Sequence, residues 1–327
     1  MSKPVRISFP GSDGQALAAR LDWPAFPPRA WALFAHCFSC SKDLHAAQRI
    51  ARRLTDHGIA VMRFDFTGLG QSEGDFANTN FTTNVQDLVA AGQWLAETHG
   101  GPDLLLGHSL GGAAAVVAAG ELPHVKAIAT LGAPSDADHV LAQFCDRIDE
   151  IETRGEAEVS LAGRPFTIRR QFVEDVKGAR VRDAAAALKR PFAVFHAPLD
   201  QVVGIDNATG LFLAAKHPKS FISLDGADHL LSRERDALYV GDAVASWASR
   251  YLWPEEAEPA PRQDGTPRPI QVAETGRGRF EAGVQIGPTQ IIADEPRSVV
   301  GGGNGLDPYA VVSAGLGACT AMTIRMY

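Results

Sequence analysis

Gly107-His108-Ser109-Leu110-Gly111 follows a short apolar run and opens an alanine-rich stretch. In a strand-to-helix turn, Gly-x-Ser-x-Gly holds the serine on a tight bend with its Oγ clear of the sheet. Side chains at positions 107 and 111 would have no room there. Free N–H groups and the dipole of the following helix then face the negative charge that develops as the serine attacks an acyl carbon. Two downstream loops supply the partners such a serine needs. Phe192-Ala-Val-Phe-His-Ala-Pro-Leu-Asp200 is a strand run ending in a turn, and Asp225-Gly-Ala-Asp-His229 follows the run Phe221–Leu224. His229 is expected to take the proton from Ser109 and return it to the leaving group, with Asp200 fixing the imidazole tautomer. Asp225 and Asp228 are the alternative carboxylates, each able instead to bind its own turn. The pentapeptide alone is weak, because a plain N-cap serine gives the same letters. The order Ser, Asp, His after three strands carries the reading.

The elements that must position these residues are legible as alternating periods. Val5–Phe9 and Leu17–Leu21 flank a Gly-Ser-Asp-Gly turn and predict an antiparallel hairpin. Trp31–Ala35, Ile59–Phe64, Leu104–Leu106, Ala127–Leu131, Pro191–His196 and Phe221–Leu224 predict buried strands. Ala46–Asp56, Thr82–Thr98, Ser109–Ala119 and Leu238–Leu252 predict helices between or after them. Strand–helix alternation implies a mainly parallel sheet covered on both faces. A charged insertion over about 135–190 interrupts the alternation. It is expected to hold an amphipathic helix over Ala142–Ile151 and a hairpin across Gly163. Phe144, Ile148, Phe166 and Phe172 in it read first as core, and second as the wall of an acyl pocket.

With that triad order and that alternation, residues 1–253 resemble an α/β-hydrolase of the serine-esterase kind, with a small cap. The resemblance implies an oxyanion hole made by the Leu110 N–H and by an N–H of the loop after Trp31–Ala35. That loop reads Ala35-His36-Cys37-Phe38-Ser39-Cys40, where the family usually carries His-Gly. Phe38 is the expected donor, Cys37 the alternative, and His36 is expected to organise the loop by hydrogen bonding. Cys37-x-x-Cys40 lacks further ligands for zinc and does not open a helix as a redox motif does, so it reads as two partly buried thiols. Asp65-Phe-Thr-Gly-Leu-Gly-Gln-Ser-Glu-Gly74 lacks the Gly-Lys-Ser/Thr of a phosphate loop and resembles a family loop that buttresses the nucleophile turn.

Residues 254–269, charged and proline-rich, predict a semi-rigid linker. Beyond it, Ile270–Glu274, Phe280–Ile286 and Gln290–Ala293 read as strands and a helix starts near Pro308. Gly305 to Met326, with Pro308, Ala-Cys319 and Met322, resembles the start of the central helix of OsmC and organic-hydroperoxide-resistance proteins. Residues 270–327 are then expected to be an incomplete α+β OsmC-like domain, through which the chain would form a homo-oligomer. The resemblance implies a peroxidatic role for Cys319, hence a rival reading as a thiol peroxidase or peroxide sensor. The plainer reading is a small buried cysteine beside Met322 and Met326.

Charge and composition narrow the partners. A net charge of −7 with no basic run argues against nucleic acid or an anionic membrane. No stretch reads as a signal peptide or membrane span, and four cysteines in 327 residues suggest a reducing cytoplasm rather than a disulfide scaffold. The expectation is a cytoplasmic enzyme acting on small-molecule esters, with no metal and no organic cofactor. A non-catalytic binding module of the same fold is the other rival, disfavoured by the intact Ser–Asp–His order.

Overall fold

The computed structural model describes residues 4–38, 40–161, 163–253, 269–287 and 289–326. All but the last residue of the expected linker lie outside them. The chain opens with the hairpin β1 (Val5–Pro10) and β2 (Ala16–Asp22), followed by β3 (Ala30–Ala35), α1 (His45–Asp56) and β4 (Ile59–Phe64). Then come α2 (Phe81–His99), β5 (Leu104–His108), α3 (Leu110–Ala118) and β6 (Ala127–Leu131). The insertion contributes α4 (Ile148–Arg154), β7 (Glu156–Leu161), β8 (Arg164–Arg169), α5 (Arg170–Gly178) and α6 (Val181–Ala187). The sheet resumes with β9 (Phe192–His196), α7 (Ile205–Ala214), β10 (Lys219–Ser223) and α8 (Glu234–Leu252).

Eight strands form one sheet in the order β1-β2-β4-β3-β5-β6-β9-β10. The hairpin joins β4 antiparallel, and the rest run parallel. Inner strands such as Ala-Trp-Ala-Leu-Phe-Ala are buried at every position, as a sheet covered on both faces requires. Their residues alternate between two cores. Leu33, Ala35 and Leu105 face the side of α2 and α3, while Ala32, Phe34, Leu104 and Leu106 face α1 and α8. Pairing of Ala35 with Gly107 sets the ends of β3 and β5 side by side. The loops after these strands therefore meet at one edge, where open parallel sheets bind ligands.

The insertion differs from expectation at its first helix and by the addition of α5 and α6, which the sequence reading does not predict. Over 142–151 the amphipathic pattern does not make a continuous helix: a 3₁₀ segment, Ala137–Arg147, breaks at Phe144 (φ −145°, ψ 35°) before α4. The break turns the Phe144 ring, 1% exposed, into the core against Phe172. The hairpin across Gly163 forms as β7 and β8. A cavity of about 480 Å³ lies beside it, lined by Phe144, Arg147, Val159 and Ser160 among others.

Residues from 270 form a separate antiparallel sheet, β11 (Ile270–Glu274), β12 (Ala282–Ile286) and β13 (Thr289–Ala293), followed by α9 (Pro308–Met326). Arg52 of α1 pairs with Glu281 at 3.0 Å, and Arg277 reaches Asp56. No described residue of α9 is buried. Cys319 is accordingly exposed, not packed away beside Met322 and Met326, because no described residue covers that helix face.

Candidate functional site

The strand β5 runs apolar up to Gly107, and the helix α3 begins at Leu110, so the chain must reverse within two residues. Ser109 takes the strain of that reversal at φ 55°, ψ −128°, a region that side chains rarely occupy. Both flanking glycines are compelled by close approach: a Cβ at 107 would stand 2.4 Å from the Gly111 carbonyl oxygen, and one at 111 would stand 2.2 Å from that of His36. The second contact seats the loop after β3 directly on the serine turn.

Ser109 Oγ lies 3.0 Å from His229 Nε2, and His229 Nδ1 lies 2.7 Å from Asp200 Oδ2. The three residues come from the loops after β5, β10 and β9, as the sequence predicts. Their side chains are nearly closed off, with Ser109 5% exposed and the His229 ring 8%. The alternative carboxylates are engaged elsewhere. Asp225 accepts from Ser223 Oγ at 2.5 Å, and Asp228 accepts the Ser232 N–H at 2.9 Å. Burial alone would raise the Asp200 carboxyl, but hydrogen bonds from His229 and from the Val203 and Val202 N–H groups hold it below the ordinary carboxylate range. It is thus an anion facing the imidazole.

Both expected oxyanion donors sit in this neighbourhood. Among the described residues, neither the Leu110 nor the Phe38 N–H has a hydrogen-bond acceptor. The expectation for the thiols fails. Cys37 and Cys40 form a disulfide, Cα to Cα 5.3 Å, because a turn closed by the Cys40 N–H on the Cys37 carbonyl brings them within bridging distance. His36 organises the loop as expected, donating Nδ1–H to the Cys37 carbonyl at 2.7 Å. The Phe38 ring packs at 5.0 Å from Phe172 and 5.4 Å from Phe76, which in turn meets Phe166 at 4.8 Å. An aromatic ladder thereby ties the β3 loop to the insertion.

Three supporting residues escape a reading of the sequence alone. Lys42, 2% exposed, anchors the far end of the β3 loop: its Nζ stands 2.6 Å from Asp65 Oδ2 and its N–H 2.6 Å from Oδ1. The Asp65 loop thus braces the β3 loop, whereas the family likeness implied a brace for the nucleophile turn. His108 donates Nε2–H to the His229 carbonyl at 2.7 Å, lashing the serine turn to the histidine loop. His196 donates to the Val203 carbonyl at 2.8 Å beneath Asp200. For Lys42 no local signal exists. For His108 and His196 the only signal is a histidine at the end of a buried strand.

Burial holds His108 at a pKa of about 3 and pushes His36 and His196 below the usual imidazole range. Unfolding returns these rings to about 6.5, so the unfolded chain binds more protons once the pH drops below that value. Stability is therefore lost on acidification, by about 2 kcal/mol between pH 7 and pH 5 for His108 alone. The depressed Asp200 carboxyl adds a further loss at lower pH, as acid protonates it preferentially in the unfolded chain. Urea midpoints are expected to fall clearly from pH 7 to pH 5, and equal midpoints would contradict the buried neutral histidines.

Comparison with known proteins agrees with this architecture. A family profile described as serine aminopeptidase, S33, matches residues 27–150. The crystal structure of the esterase domain of a Rhodothermus marinus protein is 47% identical, with a TM-score of 0.63, covering 77% of this chain and 100% of that one. Human monoglyceride lipase is 26% identical over 252 residues, which are 68% of this chain and 82% of the lipase. The mitochondrial palmitoyl-protein thioesterase ABHD10 of Rattus norvegicus is 29% identical over 154 residues, 45% of this chain. The chain spans about half the length of that thioesterase. Matched over 77% of its length to the whole of a 47% identical esterase domain, the chain belongs to the α/β-hydrolase family.

Proposed function

We propose that this chain is a serine hydrolase that cleaves carboxylic esters of small or medium acyl groups through an acyl-enzyme. Ser109 Oγ attacks the acyl carbon while His229 Nε2 takes its proton. Asp200 holds the imidazole with Nδ1 protonated and stabilises the cation that forms. The Leu110 and Phe38 N–H groups bind the oxyanion of each tetrahedral intermediate. His229 then protonates the leaving alkoxide, and a water deprotonated by the same ring releases the acid. The observation that carries the proposal is the unbroken hydrogen-bond chain Ser109–His229–Asp200. The ester class is supported by the relatives, of which one is an esterase domain and another a monoglyceride lipase. An insertion over about 135–190 between two strands of the sheet suits compact acyl groups better than polymers.

Incubation with a fluorophosphonate should add one phosphonyl group, found on the peptide that contains Ser109. The same protein should hydrolyse short p-nitrophenyl esters faster than long ones. A label on any other residue, or no hydrolysis across the series, would overturn the proposal. Residues 270–326 belong to the same proposal as an OsmC-like unit, supported by three antiparallel strands followed by a helix that Asp307 caps at 2.9 Å. Cys319, exposed and unpaired on α9, is given no step.

A further inference from the structure

We infer that the Cys37–Cys40 disulfide positions the oxyanion-binding amide of Phe38, so that ester hydrolysis responds to dithiol reductants. The inference rests on the hydrolase reading above and deepens it by naming a control of the same site.

The argument is one of peptide-plane direction. In a trans peptide the carbonyl and the N–H point to opposite sides, so whatever fixes the Cys37 carbonyl also aims the Phe38 N–H. That carbonyl accepts two hydrogen bonds, from His36 Nδ1 at 2.7 Å and from the Cys40 N–H at 3.2 Å. The second donor belongs to the disulfide partner itself. The S–S bond closes a covalent ring around Phe38 and keeps the Cys40 amide beneath the Cys37 carbonyl. The segment is secured at both ends, by the pairing of Ala35 with Gly107 and by Lys42 on Asp65. Between those anchors, the disulfide is the one cross-link among the described residues. Without it, the Cys40 amide is free to leave, and the peptide loses half of what orients it.

Cys37 is 5% exposed whereas Cys40 is half-buried, which makes Cys40 Sγ the accessible end. A thiolate of a small dithiol attacks Cys40 Sγ, forming a mixed disulfide and expelling the Cys37 thiolate, which takes a proton. The second thiol of the reagent then attacks its own sulfur in the mixed disulfide, closing the reagent's disulfide and releasing Cys40 as a thiol. Two electrons and two protons pass to the protein pair, and the dithiol is oxidised to its disulfide.

The test uses the whole chain, treated with dithiothreitol and desalted without oxygen so that free thiols do not cleave the ester reagent. Iodoacetamide and mass spectrometry report the state of the pair, and circular dichroism reports the fold. Reduction is expected to lower kcat for p-nitrophenyl acetate about 10-fold or more, approaching the loss of one oxyanion donor. KM should stay within about 2-fold, since the amide binds the transition state better than the ester. Re-oxidation should restore kcat. The double variant Cys37→Ser, Cys40→Ser should show the reduced rate and ignore dithiothreitol. Full kcat in the alkylatable, reduced protein overturns the inference, as does a pair that native protein will not let the dithiol reduce. Absence of hydrolysis and of Ser109 labelling in the oxidised protein would instead reject the hydrolase reading itself.

Discussion

Ser109→Ala is expected to lower kcat for p-nitrophenyl acetate about 10,000-fold or more, and Asp200→Asn by a similar factor of about 10,000. The serine effect follows from loss of the nucleophile. The aspartate effect follows from hydrogen-bond polarity. Asp200 Oδ1 accepts the Val202 and Val203 N–H groups, while Oδ2 faces His229 Nδ1. Asparagine keeps its oxygen on the two amides, so its NH₂ must point at the imidazole. The ring answers by presenting a lone pair at Nδ1 and a proton at Nε2, toward Ser109 Oγ, and can no longer accept the serine proton. Combining the two changes should cost little more than either alone, because the residues act as one unit. Circular dichroism should match the wild type. Asp200→Asn activity within tenfold of wild type would mean that another carboxylate orients His229.

The largest stability effect is expected at Asp65. Its side chain is fully buried and accepts from Lys42 Nζ, the Lys42 N–H and the Gln71 N–H. Arg63, also buried, donates to the Lys42 carbonyl and holds Asp22 through two nitrogens at 2.7 and 3.1 Å. Asp65→Asn takes from the buried Lys42 ammonium its 2.6 Å partner and leaves it the part-exposed Asp43 carboxylate at 3.5 Å, which costs about 3 kcal/mol, the low end for breaking a buried pair. Adding Lys42→Met removes the stranded charge, and much of the loss should return, since a buried pair contributes far less net than either half costs when orphaned. Urea denaturation of the two variants reads this directly. A single variant within about 1 kcal/mol of wild type would place Lys42 in contact with water.

What was legible beforehand divides along the range of the interactions. Strands such as Ile59–Phe64 and helices such as α1 announce themselves through local periodicity and turn residues, and the triad through residue order after strands. α7 is not legible because Ile205–Ala214 carries a mixed pattern that its position against β9 resolves but its letters do not. The break at Phe144 is likewise tertiary: the sequence 142–151 has helical spacing, and the demand of the core for one ring overrides it. The disulfide is not legible in the sequence because Cys-x-x-Cys spacing signals a redox pair where it opens a helix, whereas here a simple turn joins the sulfurs. A lone lysine reads as solvated surface, and only the folding of residues 63–71 against the β3 loop makes Lys42 a buried anchor.

The aromatic ladder has a consequence for anyone who wishes to retune this protein. The Phe38 ring of the oxyanion loop rests on Phe172 of the insertion and on Phe76. A change at Phe172 made to reshape the insertion also removes the support behind the Phe38 amide. The shape of the insertion and turnover are therefore geared together, and a variant with a remodelled insertion inherits a new rate.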